Sequence, residues 1–264
     1  MGGPLGIRHR IHRIFGGNVE EVQIVFRAIG ADPGTMLDVG AHQGSSLAPF
    51  LAHGWDVHAF EPDPSNRAIL STNFPGLRID PRAVSNVDGA DVSLFTSDVS
   101  TGISTLSPFH PSHRPTSTVK TVRLDTYLRE SGVRQVDFLK TDIEGHDLIA
   151  LRAFPWETHR PKAIVCEFED KKTVRIGHNV HDMAEFLVER GYSVVVSEWE
   201  PITVYGIQHT WRRFAEYPTD VPADSWGNLI AVEPSLLSQL NKVTRSAAQT
   251  LPMRRRIDRL LRLN

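Results

Sequence analysis

The 264-residue chain contains one cysteine, Cys166, which excludes an internal disulfide and any zinc site built from several thiolates. Cys166 lies in the apolar run Ala163-Ile164-Val165-Cys166, where it reads as a buried core thiol rather than a nucleophile. No stretch approaches the roughly 20 apolar residues needed to cross a bilayer. Residues 1–17 carry basic side chains but no apolar block, so no secretory signal is expected and the default compartment is the cytoplasm. The formal net charge is only −2, which leaves out the strongly basic surface typical of bulk nucleic-acid capture. Internal repeats and low-complexity tracts are absent as well.

What is present is an ordinary globular composition, 40% hydrophobic and 23% charged, in a length that suits one large α/β domain or two small ones. From residue 35 to about residue 234, short apolar runs alternate with helix-like segments, the pattern of a mostly parallel sheet flanked by helices. Residues 1–34 read as an N-terminal helical segment, 35–234 as the main domain and 235–264 as a basic C-terminal tail. A strand over 36–39 leads through a turn into a helix over 45–53; a second strand over 56–60 precedes a helix over 65–73, with Ser65 as its expected N-cap. Later strands are expected at 92–95, 119–124, 136–141 and 163–168, with 192–198 and 228–232 as a closing pair. The Ser/Thr/Pro/His-rich stretch 96–118 exceeds an ordinary loop, and loops of that length are usually functional.

The tail is distinct. Lys242, Arg245, Arg254, Arg255, Arg256, Arg259 and Arg262 face a single acid, Asp258, and Ile257, Leu260, Leu261 and Leu263 are spaced for one helical stripe. Such a helix suits peripheral contact with an anionic membrane, a partner (a second copy in a homodimer included) or its own domain.

Four clusters carry chemistry. In Asp38-Val39-Gly40-Ala41-His42-Gln43-Gly44 a strand ends and a helix opens. Gly40 permits a sharp turn, Gly44 permits close approach of backbone to a ligand or to the sheet, and amides at the helix N-terminus can hold an anion such as a carboxylate. Glu61 ends the next strand about twenty residues later, where an acid can accept hydrogen bonds from both hydroxyls of a ribose. Dinucleotide turns follow G-x-G-x-x-G; here the pattern is D-x-G-x-x-x-G, which suits a small zwitterionic ligand better than a pyrophosphate. The third cluster, Lys140-Thr141-Asp142-Ile143-Glu144-Gly145-His146-Asp147, follows another core strand and should open onto the same crevice. Its acids can face a cationic ligand, bind a metal or accept a proton, or simply complement a helix N-terminus. The fourth, Cys166-Glu167-Phe168-Glu169-Asp170, could bracket an acceptor hydroxyl or a divalent metal such as magnesium, although no His or Cys stands at ligand spacing. Trp199 and Trp211 are candidates for a substrate rim or for core contacts.

These motifs, with Phe60-Glu61-Pro62-Asp63-Pro64, Val122-Arg123-Leu124-Asp125-Thr126-Tyr127 and Pro161-Lys162-Ala163-Ile164-Val165-Cys166-Glu167, occur in an order that resembles the FkbM-type methyltransferases. The resemblance spans about 35–169 and weakens toward 232. It implies a Rossmann-like class I fold with a seven-stranded, mostly parallel sheet, S-adenosylmethionine (SAM) as cofactor, and O-methylation of a sugar, glycan or natural product. On that reading Asp38, Gly40, His42, Gly44, Glu61 and Asp142 are the cofactor residues. Asp142, Glu144, His146 and Glu167 are the candidates to take the acceptor's proton, with Asp142 and Glu167 also first candidates for metal ligands. His146 departs from the family, which more often has a small residue there. A non-catalytic SAM-binding scaffold and an NAD-dependent enzyme are the rival readings, the second disfavoured by the glycine spacing. No Asn/Asp-Pro-Pro-Tyr/Phe-like motif for nucleic-acid methylation is present.

Overall fold

The strands at the centre of this protein are buried along nearly their whole length because both their faces are covered. The computed structural model describes residues 19–30 and 32–262. The first half of the chain forms α1 (Glu21–Ile29), β1 (Thr35–Val39), α2 (Ala48–Ala52), β2 (Asp56–Phe60), α3 (Pro64–Asn73), β3 (Arg78–Asp80), β4 (Ala83–Val84), β5 (Asp91–Thr96) and β6 (Arg114–Val122). The second half adds α4 (Leu124–Ser131), β7 (Phe138–Thr141), α5 (Asp147–Arg152), β8 (Ala163–Glu169), α6 (Asp170–Thr173) and α7 (Val180–Glu189). It closes with β9 (Ser193–Trp199), β10 (Trp211–Glu216), β11 (Trp226–Val232) and α8 (Leu237–Arg262).

Among the described residues, eight strands form the main sheet in the order β10-β9-β11-β8-β7-β1-β2-β3. The five from β3 to β8 pair in parallel, and β11, β9 and β10 follow with antiparallel pairings. The α/β class and mostly parallel sheet agree with expectation; the count of seven does not. The extra strand is β10, which pairs only with β9 and carries Arg212, Arg213 and Glu216. As an edge strand with little buried surface, it lacks the apolar signal by which the others are read.

A second, three-stranded sheet holds β4, β6 and β5. Here β6 begins at Arg114, so part of the stretch read as a loop is strand; Pro115 sits opposite Phe95, beside an irregularity in the β5–β6 register. The second expected helix also starts earlier, at Pro64. Its cap is the Asp63 carboxylate, which accepts from the amides of Ser65 and Asn66, and Pro64 supplies the preset φ of a first helical residue.

Helices cover both faces, and stacked rings such as Phe50 and Phe138, 5.0 Å apart, fill the space beneath them. Each large apolar side chain removed from water there contributes about 1.5–3 kcal/mol. Leu240 and Leu251 of α8 pack into the same core as Ile24 and Val25 of α1, so residues 235–251 belong to the body of the molecule. The side chains of Arg254, Arg255, Arg256, Ile257, Arg259, Leu260, Leu261, Arg262 and Leu263 lie outside the described residues, as do residues 1–18. Glu21 of α1 accepts from Ser197 Oγ at 2.7 Å and Trp199 Nε1 at 2.8 Å, which sets Trp199 beneath α1 rather than on a substrate rim. No helix among the described residues is long and apolar enough to cross a membrane.

The strand order reverses at β1: β2 and β3 lie on one side of it, β7 and β8 on the other. Such a switch point opens a crevice beyond the carboxyl ends of the strands. The register sets what reaches it. Val39 stands opposite Phe60 and Thr141, and Thr141 opposite Cys166. Gly40, Glu61, Asp142 and Glu167 therefore follow at one common level.

Candidate active site

The chain turns at Gly40 with φ 82°, and a Cβ there would stand 2.0 Å from the carbonyl oxygen of Asp142. Glycine is required by both conformation and space. Two residues on, His42 also takes a left-handed conformation, φ 48°, which aims its amide at Glu61. That amide donates to Glu61 Oε2 at 2.8 Å and the amide of Asp63 donates to Oε1 at 2.8 Å, so each carboxylate oxygen is fixed by one backbone group. Burial pushes the Glu61 carboxyl up to about 7, against the pull of the two amides. The His42 ring bonds Thr101 Oγ1 at 2.9 Å and thereby ties the turn to the segment after β5.

Two parts of the glycine turn differ from expectation. The amides of Gly40 and Ala41 donate to the carbonyl of Phe60, that of Gly44 to Ala41, and α2 begins only at Ala48. The turn thus spends these amides internally instead of offering them to an anion. Gly44, at φ 88°, faces α3: a Cβ would meet the Phe74 ring at 2.3 Å and Leu70 at 2.8 Å. Its role is to let the turn pack on that helix.

Asp38 is fully buried beneath the turn. Its carboxylate accepts from Ser46 Oγ at 2.5 Å and pairs with Lys140 Nζ at 3.1 Å; the ammonium also donates to the Gly40 carbonyl at 3.0 Å. Burial alone would lower the Lys140 pKa, but Asp38 and Asp142 outweigh it and hold the group above the usual lysine range. Asp38 and Lys140 brace the turn from below.

At the other end, Asp142 is partly exposed and lies 3.5 Å from Lys140 Nζ. Glu144, at φ 57°, points its side chain into the interior, where Oε2 meets Lys172 Nζ at 2.5 Å. The same ammonium lies 3.1 Å from Glu167 and 2.9 Å from Glu169. Burial raises the carboxyls of Glu144 and Glu167 above the ordinary range, while the surrounding acids keep Lys172 protonated against its own burial. His146 bonds Ser107 Oγ through Nε2 at 2.9 Å; its Nδ1 is buried without a hydrogen-bond partner among the described residues. Burial, helped by His178 and Arg175, pushes its pKa down to about 4, so the ring is neutral at pH 7.

One cleft joins these two ends. Gly40, His42, Glu61, Asp142, Glu144 and His146 line it; Asp38, Gly44 and Glu167 do not. Phe60, Val84, Leu94 and Ile143 give it apolar walls, and Thr101, Ser104 and Thr105 give it hydroxyls. Asn66 was not among the expected site residues; Thr101, Ser104 and Thr105 fall in the stretch 96–118 expected to be functional, and Lys172 in 171–181, also expected to help choose the acceptor, though none of the four was singled out. The signal for Lys172 was Glu167-x-Glu169-x-x-Lys172, which brings a cation back onto two acids across one turn.

The carboxylate oxygens of Asp142, Glu144 and Glu167 fall within 4.8 Å of one another, close enough to share a cation. The Lys172 ammonium is already seated on Glu144 and Glu167. As arranged, these acids fit a lysine and not a divalent metal.

The sequence matches the family model described as the methyltransferase FkbM domain over residues 38–194, more than half of the chain. None of the curated proteins matches it. Solved structures with a similar outline include an O-methyltransferase from Bacillus cereus in complex with SAH, 12% identical over 85% of this chain and 90% of that one, with a TM-score of 0.44. A TehB-like SAM-dependent methyltransferase from Corynebacterium glutamicum is 14% identical over 87% and 96%, TM-score 0.42. Magnesium protoporphyrin IX methyltransferase from Synechocystis with bound SAM is 11% identical over 88% and 86%, TM-score 0.42.

Proposed function

Because the chain belongs to the FkbM-domain methyltransferase family, we propose that it is a SAM-dependent O-methyltransferase acting on a hydroxyl of a sugar, glycan or other natural product. The observation that carries this reading is the single cleft running from Gly40 and Glu61 to Glu144 and His146. When bound, SAM supplies a methyl group on a positively charged sulfur. Glu61, with one backbone amide on each oxygen, keeps lone pairs directed at a ribose diol. Asp142, half-exposed on the cleft wall, answers the cofactor's amino group. Phe60, Val84 and Leu94 give an apolar bed for the base.

At the acceptor end, Glu144 is the group we assign to take the hydroxyl proton. It lines the cleft, and burial raises its proton affinity toward the range in which a base works best near neutral pH. Asp142 and His146 complete the polar surround, and Glu167 lies behind it on Lys172; His146 is the nearest alternative base, with a neutral ring on the cleft wall. Holding acceptor oxygen, methyl and sulfur in line supplies much of the acceleration, up to about 7–11 kcal/mol in well-oriented cases.

Calorimetry with SAM, S-adenosylhomocysteine and NAD tests the cofactor, and SAM with a labelled methyl group, offered with candidate glycans, tests the transfer by the mass gain of one methylene. The expected result is binding of the first two ligands and label on an oxygen. Binding of NAD without SAM would sink the reading.

A further inference from the structure

Beneath the acceptor end of the cleft, a lysine occupies the position of an ion. Lys172 is buried, and its ammonium lies 2.5 Å from Glu144 Oε2, 2.9 Å from Glu169 Oε2 and 3.1 Å from Glu167 Oε2. These oxygens come from three separate places: the tight turn after β7, and two positions on β8 that are one pleat apart. Convergence of carboxylate oxygens from different elements on one cation is how oxygen-ligand metal sites are built, at 2.3–2.6 Å for calcium. The Phe109 ring closes the remaining side, its centroid 5.1 Å from Nζ. Tyr205 donates to Glu169 at 3.2 Å and fixes that carboxylate. Even the turn is shaped around this side chain, since Gly145, at φ 97°, leaves the room that a Cβ 3.1 Å from Lys172 Cβ would take.

We infer that Lys172 is a built-in cation, which fills the carboxylate site at the acceptor end and so makes a divalent metal unnecessary there. Lys172 does not line the cleft; it is a positioning residue that acts through Glu144. Removing a charge partner from a buried cluster leaves the other charges uncompensated, and an added ion can then take its place. The inference rests on the methyl-transfer reading only for what the cluster serves; its cation chemistry is measured without turnover.

The test titrates MnCl2 into the full-length chain, following free Mn²⁺ by electron paramagnetic resonance and Tm by scanning fluorimetry. Wild type is expected to take up no stoichiometric Mn²⁺ and to keep its Tm in MnCl2 and in EDTA. Lys172→Ala is expected to bind one Mn²⁺ roughly tenfold or more tightly than wild type, with a Tm that rises on addition. Glu144→Gln in that background should abolish the gain. Folding of Lys172→Ala only when MnCl2 is present would count in favour. One Mn²⁺ bound by wild type and lost in Glu144→Gln would overturn the inference, as would a folded Lys172→Ala that binds no better than wild type. If Lys172→Ala folds under neither condition, the wild-type titration decides. Wild type that fails to bind SAM would remove the methyl-transfer reading and leave the manganese result standing.

Discussion

Gly145 and Lys172 touch across the acceptor end: a Cβ on the glycine would stand 3.1 Å from the Cβ of the lysine. Gly145→Ala should therefore act twice. The left-handed φ of 97° costs an L-residue about 1–2 kcal/mol, and the new methyl pushes on the side chain that holds Glu144. Urea denaturation should show the loss of stability, and methyl transfer should fall by more than SAM binding does.

Glu61 links cofactor binding to pH. Its pKa in the folded protein is raised to about 7 from the ordinary 4.5, so the free protein holds a partial proton there at neutral pH. A ribose diol is accepted by the ionised form, and SAM should bind more tightly as pH rises through about 7 and release protons on binding. Calorimetry in two buffers of different ionisation enthalpy reads that release; Glu61→Gln should abolish it and weaken binding by about 1.5–3 kcal/mol. The stability effect has the opposite direction. Because the folded state holds the Glu61 proton more tightly, the contribution of this group to stability is full below about pH 4.5 and is lost as pH rises to about 7.

The glycines of the turn should separate by readout. Gly44→Ala drives a methyl into Phe74 and strains a φ of 88°, a loss of about 1–3 kcal/mol in stability, while the folded fraction keeps its SAM affinity. Phe74→Ala in the same chain should recover the clash but not the backbone strain. A large loss of SAM affinity in folded Gly44→Ala would return this glycine to the ligand.

Among the acceptor-end acids, Glu144→Gln should lower kcat by about 10²–10⁴ with SAM affinity preserved, as for loss of a general base. His146→Asn should lower it less. The reverse ranking would move the base to His146, and full activity in both variants would remove the proposal.

Much of this arrangement is legible in the sequence because strand ends and tight turns have local causes. Gly40, Glu61 and Asp142 each follow a short buried strand, and parallel strands on either side of the switch point bring their carboxyl ends to the crevice. What stayed hidden depends on contacts far apart in the chain. The strand β10 is amphipathic only against β9, its sole partner. Gly44 looked like a ligand glycine because nothing local announces Phe74, thirty positions away. The spacing of Lys172 from Glu167 and Glu169 announces those two partners, but nothing local announces the third, Glu144.

The common level at which β1, β2 and β7 end, opposite Cys166 within β8, has one more consequence. Within these strands Val, Ile, Leu and Phe are open to exchange at constant volume, but the number of residues is not. One residue inserted into β7 would turn Lys140 to the opposite face of the sheet, away from Asp38, and carry Glu144 out of reach of Lys172. Substitutions in these strands should thus be common among working variants, and insertions or deletions nearly intolerable, because the site is specified by counting along four strands rather than by their composition.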